Sequence, residues 1–165
     1  MPQPSTFSSP PWFSVPESAK ALLTAAAQSW EDSSTSERYV QEALTQPNVA
    51  LEVLESAYRY YFYKNNDVKA LAIARAVMER ICTAEQWHQP WEALVPILSA
   101  RLDESATRLY LNAYTASGLL LARLGQLGEA EVIAQQVAQL GAPEFGADVL
   151  LSVLQASPDE EDEDD

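Results

Sequence analysis

Three short breaks constrain what this chain can fold into: "TQPN" at 45–48, "KNND" at 64–67 and "GQLG" at 125–128. Each contains Gly, Asn or Pro, residues that take turn conformations at low cost. Around the breaks, apolar residues recur at three- and four-residue steps, the period of a helix with one buried face. No stretch alternates apolar and polar with period two, so strands are not expected. Composition agrees, with only 5 Gly in 165 residues, abundant Ala and Leu, and few β-branched runs. The expected class is all-α, in about seven or eight helices.

Start and stop signals place those helices. Ser14 stands three residues before Glu17, the capping-box spacing, ahead of a helix expected over about 16–31. Ala19, Leu22, Leu23, Ala26 and Trp30 share one face of it. Ser34 and Glu37 repeat the spacing before a short helix to Leu44. Further helices are expected over about 49–64, 67–82 (capped by Asp67), 104–124 (capped by Asp103), 127–140 and 144–155. The segment "TAEQWHQPWEALVP" (83–96) is irregular. Pro90 suits a first helical turn, and Pro96 is expected to end or kink the helix begun there. Trp87 and Trp91 are expected to plug a gap between helix pairs, since Leu94, Ile97 and Leu98 continue the apolar side. Residues 1–13 hold four of the ten prolines and read as a disordered lead; 157–165 read as a disordered acidic tail. One domain, 14–156, lies between.

Charge narrows the partners. The net charge is −14, and "DEEDEDD" (159–165) carries half of it. An acidic surface repels phosphate backbones and anionic lipid, which disfavours nucleic acid and membrane. No apolar run approaches a membrane span, and "MPQPSTFSSPPWFSVPE" lacks the basic start and apolar centre of a secretion signal. A single cysteine, Cys82, excludes an internal disulfide framework. The expectation is a soluble cytoplasmic protein.

The segment "LARLGQLGEAEVIAQQVAQLGAP" (121–143) resembles a tetratricopeptide repeat, a helix-turn-helix unit of about 34 residues. In that family's frame Tyr114, Gly118, Leu121, Gly125, Ala130, Ala134 and Val137 occupy the signature positions. The same frame upstream selects Leu54, Tyr58, Tyr61, Asn65, Ala70, Ala74 and Val77. Further upstream it selects Thr24, Ala27, Ser36, Val40 and Ala43. Units then read 17–50, 51–84 and 111–144, with a 26-residue insert at 85–110. The resemblance implies antiparallel helix pairs stacked as a short solenoid; a helical bundle would carry the same periodicity.

Five aromatic residues crowd "YRYYFY" (58–63). On a helical wheel Leu51, Leu54, Tyr58, Tyr61 and Phe62 form one apolar side and Val53 with Tyr60 a second, joined by Ala57. Tyr58 and Tyr61 are therefore expected in the core. The remaining sector holds Glu52, Glu55, Ser56, Arg59 and Tyr63, with Phe62 at its edge. The resemblance implies that this sector faces a concave groove, with Asn112, Thr115, Leu119 and Arg123 as counterparts in the third unit. Those ten residues are the expected contacts to a segment of another protein, with aromatic and Arg side chains as anchors. Glu55, Arg59, Thr115 and Leu119 lack the Lys and Asn with which some family members clamp a C-terminal carboxylate.

Catalysis finds no footing. His88 and Cys82 are the only residues of their types, too few for a zinc site, and no phosphate loop or nucleophile motif occurs. Glu129 and Glu131, two apart on a helix, point in different directions. The expected function is a non-catalytic, cofactor-free adaptor or chaperone that holds a partner segment in a helical groove. The alternative is a structural subunit or assembly factor of a larger complex.

Overall fold

Helix follows helix through residues 15–156, the part described by the structure, a computed structural model. The order is α1 (Glu17–Gln28), α2 (Ser33–Leu44), α3 (Leu51–Tyr63), α4 (Asp67–Glu85), α5 (Trp91–Ser99), α6 (Ser105–Arg123), α7 (Leu127–Gln139) and α8 (Ala147–Gln155). A 3-10 turn, Pro143–Phe145, precedes α8. The fold is all-α, as expected: no strand occurs among the described residues. No helix there is long and apolar enough to cross a membrane. The proline-rich lead, the Ser14 cap and the acidic tail lie outside the described residues.

Several helix ends differ from the expected ones. α2 is capped by Asp32, two residues before Ser34; its carboxylate accepts the Thr35 N–H (3.2 Å) and hydroxyl (2.8 Å). α4 is capped by Asn66, whose side chain accepts the Lys69 N–H at 3.3 Å. Asp67 becomes the first helical residue, where its charge still favours the positive end of the helix. In both cases a short Asp or Asn side chain nearer the chain's entry reaches the free amide first. Glu104 rather than Asp103 precedes α6 and makes no side-chain cap. Arg101 holds it instead, pairing with both Glu104 and Glu85 (2.5 and 2.8 Å).

α1 stops three residues early, where the Ser29 hydroxyl donates back to the Ala25 carbonyl at 2.7 Å. α4 runs three residues longer, until Gln86 turns left-handed (φ 59°) and the Trp87 N–H bonds the Cys82 carbonyl. α5 continues through Pro96 to Ser99. The carbonyl that loses its donor there belongs to Glu92, an exposed residue. α8 begins at 147 instead of 144 because Gly146 adopts φ 79°, which breaks the chain out of the 3-10 turn.

Turns of three or four residues join α1 to α2, α3 to α4 and α6 to α7, so each pair is antiparallel. α4 packs against both α3 and α6. Arg123, ending α6, pairs with Asp67, starting α4, at 3.4 Å, so those two helices are also antiparallel. α3 and α6 consequently run parallel. α2 joins α3 through the Ser36 and Tyr60 hydroxyls (2.5 Å), and Glu37 of α2 pairs with Lys69 of α4. α8 lies on α6 and α7.

Small side chains set these spacings. Ser36, Val40 and Ala43 on α2, Ala70, Ala74 and Val77 on α4, and Ala130, Ala134 and Val137 on α7 are all at most 1% exposed. Gly118 allows the closest approach. A Cβ there would lie 2.5 Å from Leu150 Cδ2 of α8 and 3.1 Å from Ile133 Cγ2 of α7. The main core runs from the end of α1 to α8, and a smaller cluster (Val15, Ala19, Leu23, Ala43, Val53) lies under α1.

The two insert tryptophans divide their roles. Trp87 is buried edge-on against Tyr110 (5.6 Å), with the Arg101 guanidinium 5.2 Å over its ring. Trp91 is half-buried, tilted on Tyr114 (5.7 Å), and its indole N–H donates to Gln139 Oε1 at 2.9 Å. Trp87 is thus the plug, whereas Trp91 ties α5 to α6 and the end of α7.

Candidate functional site

α3 is the ridge on which the candidate site is built. Tyr58 and Tyr61 are buried, together with Val53, Ala57 and Tyr60. The opposite stripe, Glu52, Glu55, Ser56, Arg59 and Tyr63, advances in three- and four-residue steps and so forms one face. Tyr63 is 69% exposed and the Arg59 side chain 48%. The remaining three are half-buried, and a hollow lies on either side of the ridge.

The first hollow is an apolar cleft of about 240 Å³ between α1 and α3. Leu23, Ala26, Val40 and Tyr60 are its buried lining, and Ala27, Trp30, Ser56, Arg59 and Tyr63 its more exposed sides. Trp30 is held as a wall: its ring meets Tyr60 edge-on at 5.4 Å, and Lys64 Nζ sits 4.0 Å from its centre. The same ammonium donates to the Trp30 carbonyl and to Ser33 Oγ. A side chain fixed from two directions loses little freedom on contact with a ligand. The volume is below the roughly 300–1,000 Å³ of small-molecule sites, and suits one anchoring side chain instead.

The second hollow, about 560 Å³, separates the first half of α3 from the first half of α6. Leu51, Glu52 and Glu55 line it from α3, with Asp103, Ser105, Ala106, Arg108, Leu109 and Asn112 opposite. Burial, more than the neighbouring Glu52, pushes the Glu55 carboxyl above its usual range, and Arg59 opposes that only in part. Their contact is 3.9 Å, long for a charge-assisted bond of about 2.8 Å. Arg108 is drawn toward the α8 end, its guanidinium 5.8 Å from the Phe145 ring.

The expected contact residues are therefore divided. Ser56, Arg59 and Tyr63 line the apolar cleft, while Glu52, Glu55 and Asn112 line the acidic hollow. Phe62 and Arg123 meet each other: the guanidinium lies 4.5 Å over the ring while pairing with Asp67. Leu119 is half-buried. Thr115 is corrected. It is 5% exposed, its methyl lies 3.6 Å from where a Gly146 Cβ would stand, and its hydroxyl has no hydrogen-bond partner among the described residues. The turn into α8 covers that side of α6, so Thr115 offers nothing to a partner.

Two sets of lining residues escaped the sequence. Leu23, Ala26 and Trp30 read as an inward face, yet Trp30 is 37% exposed because α1 ends beside it. The only signal was Trp30 standing at a helix end near Lys64 in the repeat offset. Asp103 to Leu109 belonged to the insert, because the repeat frame began at 111 although α6 begins at Ser105.

Nucleophilic chemistry gains no support from Cys82. Burial first, then the charge of Glu79, pushes its thiol up, the reverse of what a nucleophile requires. No group of three or more His, Cys, Asp or Glu able to hold a metal occurs among the described residues. Comparison with protein-family models, with curated proteins and with solved structures found no match to this chain.

Proposed function

We propose that this chain is a cytoplasmic, non-catalytic protein-binding scaffold of the tetratricopeptide-like kind, an adaptor or chaperone that grips a segment of a partner protein along α3. The observation carrying this reading is the apolar cleft between α1 and α3, walled by Trp30 and Tyr63 with Arg59 at its rim. Tyr, Trp and Arg are the side chains that most often dominate binding energy at protein interfaces, and burial of a partner's apolar group there is favourable by about 25 cal/mol per Å². The acidic exterior keeps such a complex soluble.

The reading predicts that the double variant Arg59→Glu with Tyr63→Ala keeps its helical circular dichroism, since both side chains are exposed. Its affinity for a protein captured by the wild type at low and moderate salt should fall at least tenfold. Undiminished affinity with an intact fold removes the cleft as the site. A second reading, a permanent subunit of a larger complex, is favoured by Val149 and Val153, which stand 59% and 42% exposed on the outward side of α8. A permanent subunit should self-associate when isolated, whereas a scaffold for exchangeable clients should remain monodisperse.

A further inference from the structure

We infer that the segment gripped along α3 is amphipathic and basic: it places one large apolar side chain in the α1–α3 cleft and a Lys or Arg about 10 Å further along, between Glu52, Glu55 and Asp103. The inference rests on the scaffold reading and adds the chemistry of the occupant. The two hollows share α3 as a wall. From Arg59 beside the cleft to Glu52 beside the acidic hollow is seven residues, hence the ~10 Å offset at 1.5 Å per residue. A helical partner covers that distance in two turns, an extended one in three residues.

Charge selects the side chain that accompanies the anchor. Three carboxylates and one guanidinium line the second hollow, and that guanidinium, Arg108, is turned toward Phe145. Glu52 and Asp103 form no ion pair among the described residues, and Glu55 has only its long contact with Arg59. A partner cation supplies the charge that the partly desolvated Glu55 lacks, whereas a carboxylate placed there faces three like charges. Arg59, at the other end of the ridge, repels a cation from the cleft itself. The polarity of the pairing is therefore fixed, with the anchor toward the C-terminal end of α3 and the cation toward its N-terminal end.

The test is selection of phage-displayed random 16-residue peptides on the full chain, near 150 mM salt. The expected winners pair an aromatic or branched aliphatic residue with a Lys or Arg at the stated offset. Exchanging that basic residue for Glu should weaken binding more than tenfold, and Glu52→Gln with Glu55→Gln in the chain should remove most of the preference. Tyr63→Ala should weaken every winner, whatever its charge. Winners that need Tyr63 but are indifferent to charge, or favour acidic residues, overturn this inference and leave the scaffold reading standing. Absence of any Tyr63-dependent winner overturns both. Winners found only with a Trp12→Ala, Phe13→Ala chain would mean that the chain's own lead takes the cleft, which overturns a foreign occupant.

Discussion

At the scale of single residues, Gly118 and Glu55 show opposite ways in which a position is tuned. Gly118 is needed for space. A Cβ added there would press on the terminal methyl of Leu150, a fully buried side chain. Gly118→Ala gains about 1 kcal/mol of helix propensity but incurs an overpacking cost of about 1–3 kcal/mol. The expected net is destabilisation, seen as a melting temperature lower by a few degrees; an unchanged or higher value would show that α8 yields easily. Glu55 costs stability instead. Because burial raises its folded-state affinity for a proton, its contribution is favourable below the unfolded carboxylate pKa of about 4.3 and is lost as pH rises through the higher folded value. Glu55→Gln should therefore melt higher than the wild type at pH 7, with the gap closing toward pH 4. A gap constant with pH would mean that the carboxylate is not the source.

Helix ends carry the lesson at the scale of elements. Helical periodicity runs through several candidate caps, and only geometry shows which side chain meets a free amide. Asp32 does so for α2, and Ser34 stands two residues too late, already inside the helix. Asp32→Ala should lower the denaturant midpoint measurably, whereas Ser34→Ala should lower it by less than half as much. Equal losses would restore the Ser34 cap. α5 makes the complementary point. Its tryptophans were legible as an apolar pair, but the split between a buried Trp87 and a tethering Trp91 depends on Tyr110, Tyr114 and Gln139, the last of them 48 residues beyond Trp91.

Across the whole molecule, stability is not evenly distributed. α4 packs between α3 and α6, and α6 against α4, α7 and α8, whereas α1 pairs mainly with α2, sits over a small separate cluster and joins the main core only at Ala26. Amide hydrogen exchange should therefore open α1 and α2 at a lower free energy than α4 and α6. Uniform protection would mean that the molecule opens as one unit. The gradient bears on function, since one wall of the apolar cleft belongs to α1. A client that fills the cleft should slow exchange in α1 more than in α6, by mass action on the closed form.

Periodicity and turn residues determined the all-α class and the order of the helices, and the resemblance to the repeat frame picked out the rows Ser36–Val40–Ala43, Ala70–Ala74–Val77 and Ala130–Ala134–Val137 that are buried, because each depends on neighbours within one or two turns. The outward stripe of α3, exposed at Arg59 and Tyr63 and half-buried elsewhere, was legible from local periodicity. Tertiary structure alone decided what stands across from that stripe: Trp30 on one side, Asp103 and Asn112 on the other, and the α8 turn closing over Thr115. Those juxtapositions join segments 22 or more residues apart, and no local pattern encodes which helices will meet or how deeply a shared face will be covered.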